Sequence, residues 1–178
     1  MTTDLIVLNG ASSAGTSTMA RRLQAVVRRT WLVLGLDALG SAPPQGFGET
    51  GDGVHFDLNR TGPMGDEFRR VEAAWLCGVR SMASSGVPVI LDEVFLDGAV
   101  DERIRRRAFD GVGAVWVGVT CDVTVAAERE EQRGDRAIGL AAAQSTRVHE
   151  GVTFDVVVDT TDGDRERCVH EILNHVRQ

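Results

Sequence analysis

The chain is poor in the features that mark membrane, secreted and nucleic-acid-binding proteins. No apolar run reaches 18 residues without interruption, so no transmembrane helix is expected. Three cysteines, Cys77, Cys121 and Cys168, are too few and odd in number for a disulfide framework, and none forms a C-x-x-C pair. A reducing compartment is therefore expected. Proline is limited to 4 residues against 20 glycines, a balance that favours tight turns over Pro-rich linkers. Positive charge is also short. Nineteen Lys plus Arg stand against 26 Asp plus Glu, and the resulting −7 argues against a broad nucleic-acid or anionic-membrane surface. The opening MTTDLIVLNG has one short apolar run and no basic leader, which reads as a strand and points to a cytoplasmic protein.

At 178 residues, 43% of them hydrophobic, the chain is long enough for one substantial core, and residues 1–178 read as a single domain. Branched-apolar runs recur at Leu5–Leu8, Trp31–Leu36, Val89–Leu91, Val115–Val119 and Val156–Val158. Runs this short and continuous are expected of parallel strands buried on both faces. Helical periodicity is read between them, over 18–27, 65–84, 101–109, 123–131 and 165–175. The alternation predicts an α/β fold in which helices sandwich a parallel sheet of about five strands, as in small P-loop kinases. Residues 40–63 hold three of the prolines and many glycines; they are expected to be irregular, with a small hairpin near Val54-His55-Phe56, on the substrate side. The helices suit packing on the sheet or a contact between copies, so a homo-oligomer is left open.

Residues Gly10-Ala11-Ser12-Ser13-Ala14-Gly15-Thr16-Ser17 follow the first strand and lead into a helix with Thr18. That context suits a phosphate-binding loop, G-x-x-x-x-G-K-[ST], in which backbone N–H groups and the helix N-terminus surround phosphate oxygens. Thr16 stands where the pattern has lysine, and threonine brings no mobile charge to a β- or γ-phosphate. Ser17 offers a hydroxyl to Mg²⁺. Asp37, at the exit of a strand, reads either as a base for an attacking alcohol or as a helix cap. Asp92, at the end of another, is expected near Mg²⁺, with Glu93 beside it, capping the next segment, or paired with an arginine. Arg129, Arg133 and Arg136 flank Gly134 in a lid-like segment, 129–139, whose guanidinium forks suit phosphate; pairing with nearby Glu residues is the plainer alternative. The histidines, His55, His149, His170 and His175, have no zinc spacing and are expected to be satisfied surface groups. No G-x-S-x-G elbow accompanies the loop serines.

Taken in order, LIVLNGASSAGTS, WLVLGLDAL, EFRRVEAAW, VPVILDEVFLDG, VWVGVTCD, EEQRGDRAIG and VHEGVTFDVVVDT resemble the chloramphenicol phosphotransferase family over nearly the whole chain. The resemblance implies an ATP- and Mg²⁺-dependent transfer to a primary hydroxyl of chloramphenicol or a related small hydroxylated natural product. It implies Asp37 as the base, the glycine loop as the triphosphate site, and phosphate contacts from Arg133 and Arg136. The family has lysine at the position of Thr16. That departure keeps two other readings open: a non-catalytic relative that binds a nucleotide or metabolite, and a different enzyme using the same cleft.

Overall fold

The computed structural model describes residues 2–35, 38–39, 66–133 and 139–177. Five strands form one parallel sheet: β1 (Leu5–Gly10), β2 (Leu32–Gly35), β3 (Val89–Glu93), β4 (Ala114–Thr120) and β5 (Val156–Asp159), in the order β2-β3-β1-β4-β5. The helices are α1 (Thr16–Val26), α2 (Asp66–Ser84), α3 (Ala99–Ala108), α4 (Val123–Arg133), α5 (Leu140–Gln144) and α6 (Arg165–Leu173), with a 3₁₀ turn at Arg147–His149.

Period-two alternation distributes the apolar runs to both faces of the sheet. Ile6, Leu8, Ile90, Val115, Val117 and Val119 pack with Met19 and Leu23 of α1 and Cys168 and Ile172 of α6. Leu5, Val7, Val89, Leu91 and Trp116 face the other way, onto Leu76 and Val79 of α2 and onto Phe95 and Phe109 at either end of α3. The central strand β1 is buried along its whole length, which is why its sequence shows no polar alternation until Asn9.

The five strands and their parallel sense agree with the sequence reading, and the boundaries differ in informative ways. Helix α1 begins at Thr16, two residues before its expected start, because Gly15 serves as N-cap at φ 96 and no side chain is needed there. Helix α3 begins at Ala99 rather than Asp101, following Gly98, which has φ 49 and approaches the Glu150 carbonyl so closely that a Cβ would stand 2.5 Å from it. Helix α5 was not expected at all; its five residues are too few to show a period. The hairpin near 54–56 lies outside the described residues. No helix among the described residues is long and apolar enough to cross a membrane.

Candidate functional site

Parallel strands all deliver their carboxyl ends to one edge, so whatever follows β1, β3 and β4 is gathered there. Leu8, Asp92 and Gly35 lie in one row across β1, β3 and β2, and Gly10 pairs with Val119 two residues further along β1. The glycine loop thus leaves the central strand beside the end of β3. Alternation on β3 then sends its two carboxylates to opposite faces. Asp92 lies on the α1 side, where Ser17 Oγ donates to its Oδ2 at 2.6 Å. Glu93, fully buried, lies on the α2–α3 side, where Arg105 donates to its Oε2 from Nη2 at 2.9 Å and from Nε at 3.1 Å. Of the three expectations for Glu93, pairing with an arginine is the one the structure shows.

Arg105 also reaches Glu72 of α2 at 3.0 Å and Asp101 at 3.5 Å. Arg69 joins from α2, 2.8 Å from Glu72 and 3.5 Å from Asp101. Burial pushes the Glu93 carboxyl above its ordinary value, and the Arg105 guanidinium opposes that shift. The surrounding carboxylates drive the Arg105 pKa up in spite of burial.

The loop itself is wound tightly. Ser13 has φ 60, Gly15 has φ 96, and the Ala14 N–H donates to the Ala11 carbonyl at 3.1 Å. Alternating right- and left-handed residues of this kind turn successive N–H groups into a concavity that suits anions. Ser13 Oγ is buried without a hydrogen-bond partner, an orphan donor inside that loop. Both features fit a phosphate group. Thr16 is 8% exposed and its Cγ2 lies only 2.7 Å from where a Cβ on Gly10 would stand, so its methyl packs back against the loop's first glycine. It is an internal filler where the pattern has an outward-reaching cation. The chain offers no lysine anywhere to take its place: all 19 basic residues are arginines. Composition carried that signal in plain view.

Ser17 and Thr18 are exposed in the first turn of α1. Arg129 is held by the protein, donating from Nη2 to the Thr160 carbonyl at 2.7 Å and from Nη1 to Thr160 Oγ1 at 3.2 Å and to Cys121 Sγ at 3.1 Å. Its contacts are therefore with the segments after β4 and β5, and among the described residues the expected pairing with helix glutamates is not found for it. Arg133 ends α4 and is exposed. Asp37 and Arg136 lie outside the described residues. His149 corrects the expectation of a satisfied surface histidine: its Nδ1 is buried and unpartnered, its ring stands edge-on to Phe154, and burial lowers its pKa. Among the described residues no three His, Cys, Asp or Glu side chains cluster to hold a metal. One carboxylate and one hydroxyl, as at Asp92 and Ser17, are a donor set suited to Mg²⁺, which commonly completes its shell with water and phosphate oxygens.

Sequence reasoning missed four polar groups that brace this edge. Asn9, buried, accepts from the Phe95 N–H and donates to the Val148 carbonyl. Gln144 accepts from the Ser12 N–H at 2.8 Å, Thr160 donates to the Ala14 carbonyl at 2.7 Å, and Glu130 accepts from the N–H groups of Gly139 and Ala141. A polar residue closing an otherwise apolar strand was the available sign for Asn9. The others depend on contacts distant in sequence.

A glycine loop on the central strand of a β2-β3-β1-β4-β5 parallel sheet defines the class of small P-loop kinase-like proteins. Solved structures share the fold: a sugar kinase from Janibacter sp. HTCC2649 superposes with TM-score 0.70 at 18% identity, covering 97% of this chain and 93% of its own. A gluconokinase from Sinorhizobium meliloti 1021 gives TM-score 0.63 at 21% identity, with 97% and 90% covered. The chain belongs to the chloramphenicol phosphotransferase-like family, whose pattern it matches over residues 3–177. A Mycobacterium tuberculosis protein named "Putative O-phosphotransferase" is 28% identical over 193 residues, covering 98% of this chain and 80% of its own.

Proposed function

We propose that the protein is an ATP-dependent O-phosphotransferase acting on a hydroxyl of chloramphenicol or a related small natural product. The observation that carries this reading is the 2.6 Å contact between Ser17 Oγ and Asp92 Oδ2 at the exit of the glycine loop. It joins the first turn of α1 to the end of β3, the pairing of hydroxyl and acid that phosphoryl transfer uses to hold Mg²⁺. The loop from Gly10 to Thr16 would hold the phosphates through backbone N–H groups, with Ser13 Oγ as a further donor, and Ser17 and Asp92 would hold Mg²⁺. Mg-ATP, when bound, would supply the phosphoryl group: the acceptor oxygen bonds to the γ-phosphorus as the bond to the bridging oxygen breaks and ADP leaves, while Asp37 takes the hydroxyl proton. With no lysine in the chain, arginine must supply any side-chain cation at the phosphates, and Arg133 and Arg136 are the residues assigned to it. The family membership and the name of the M. tuberculosis relative support the reaction class.

Thr16 favours one second reading, a relative that binds nucleotide without transferring phosphate. Calorimetric titration with Mg-ATP, run on the wild type and on Thr16→Lys, separates the two when paired with mass spectrometry of acceptor candidates. The expected outcome is measurable wild-type binding and a phosphorylated product whose rate rises about 100-fold in Thr16→Lys, the scale of one preorganised charge contact. Binding with no product from either protein, across a set of hydroxylated acceptors, selects the non-catalytic reading.

A further inference from the structure

Two neighbouring residues of α4, Arg129 and Glu130, connect to the glycine loop from opposite sides, each through an intermediary. Glu130 is buried; its Oε2 accepts from the Gly139 N–H at 2.7 Å and its Oε1 from the Ala141 N–H at 2.9 Å. These bonds fix the start of α5. At the other end of α5, buried Gln144 accepts from the Ser12 N–H at 2.8 Å. Arg129 in turn holds Thr160 by its carbonyl and hydroxyl, and Thr160 Oγ1 donates to the Ala14 carbonyl at 2.7 Å. One relay therefore ends on the residue before Ser13 and the other on the residue after it.

Ser13 is the non-glycine residue with positive φ among those described, at φ 60. Serine adopts that conformation at a cost, and such strain persists where the surroundings over-determine it. Its own Oγ makes no compensating hydrogen bond. The restraint has to come from its flanks, where the two relays end. We propose that Gln144 is a positioning residue for the glycine loop, clamping it together with Thr160 so that Ser13 stays left-handed and the loop N–H groups are preset for an anion. That the anion is a nucleotide phosphate rests on the function proposed above; the clamp itself does not.

The test uses Gln144→Met, which keeps the length of the side chain and removes the acceptor, and Gln144→Glu, which keeps an acceptor. Amide hydrogen exchange of the full chain is followed residue by residue by NMR. The clamp predicts that in Gln144→Met the amides of Ser12, Ser13, Ala14 and Gly15 exchange about tenfold faster while Met19 in α1 is unchanged, and that Gln144→Glu behaves as wild type. Mg-ATP affinity should fall about tenfold in Gln144→Met, the scale of one buried hydrogen bond to a backbone donor. The decisive arm adds Ser13→Gly, because glycine reaches positive φ without strain. Measured against Ser13→Gly alone, which lacks the Oγ donor, Gln144→Met should cost little further Mg-ATP affinity, and Ser13→Gly should restore folding if Gln144→Met alone fails to fold. Acceleration confined to Ser12, or an undiminished tenfold loss in the Ser13→Gly background, overturns the clamp. If the wild type binds no Mg-ATP, the nucleotide reading fails, and the exchange pattern of the single and double variants still decides the clamp.

Discussion

Asp92 and Glu93 show how far one residue's placement changes its chemistry. They are adjacent carboxylates at the end of one strand, yet the first meets a hydroxyl at the mouth of the glycine loop and the second is sealed against Arg105. Alternation along a strand is enough to separate them, so the metal-side place that the sequence allows for both is not shared: only Asp92 faces the glycine loop. Among single residues, His149 carries a pH prediction. Burial lowers its pKa below the ordinary value of 6.5, and the nearby Val119 backbone opposes the shift. The unfolded chain therefore binds the proton more readily, so the contribution of neutral His149 to stability is present above about pH 6.5 and is lost as pH falls through that value toward the folded pKa. The difference in melting temperature between wild type and His149→Gln should shrink as pH is lowered from 7.5 to 5.5. A difference that stays constant would show that His149 does not titrate in this window.

Elements are tied together by the buried ions on the α2–α3 face. Arg105 of α3 links Glu72 of α2 to Glu93 of β3, and Arg69 of α2 returns to Asp101 of α3, so three elements share one charge network beneath the edge that carries the glycine loop. Only Arg69–Glu72 and Arg105–Asp101 are helical neighbours; the links between elements span 12 residues from Glu93 to Arg105 and 33 from Glu72 to Arg105, which is why no local pattern announced the whole. Arg105→Met leaves Glu93 buried without its partner, and breaking a buried pair from one side typically costs about 3–5 kcal/mol. Chemical denaturation should register that loss, with Arg105→Lys recovering part of it, since an ammonium cannot reproduce a guanidinium's paired donors. The element boundaries followed the same division between local and distant causes. Strands and long helices were legible because burial on both sheet faces demands continuous apolar runs and helix packing demands a 3.6-residue period. Helix α5 was not, because it is held by contacts with distant residues, Glu130 at its start and the Ser12 N–H at its Gln144 end, rather than by a period of its own.

At the scale of the whole molecule, the glycine loop joins the two halves of the sheet, with Asp92 and Ser17 on one side and Thr160 and Gln144 on the other. A ligand seated there should stabilise the entire fold. At about 100 times its dissociation constant, Mg-ATP adds about 2.7 kcal/mol, which for a chain of this size raises the melting temperature by about 5–10 °C. A scanning-fluorimetry series should show that rise for Mg-ATP, and an unchanged melting temperature at saturating concentration would count against binding to the folded state.

The amino-acid sequence alone determined the class of fold and the location of the glycine loop, because apolar periodicity and the strand–glycine–helix order are local consequences of burial and backbone sterics. It also located the departure at Thr16. The tertiary structure alone decided what Thr16 does, packing its methyl on Gly10, and which groups hold the loop in shape. Those groups, Asn9, Gln144, Thr160 and the Arg105 network, act across long stretches of chain. Their partners are chosen by the order of strands in the sheet, and no window of sequence contains that order.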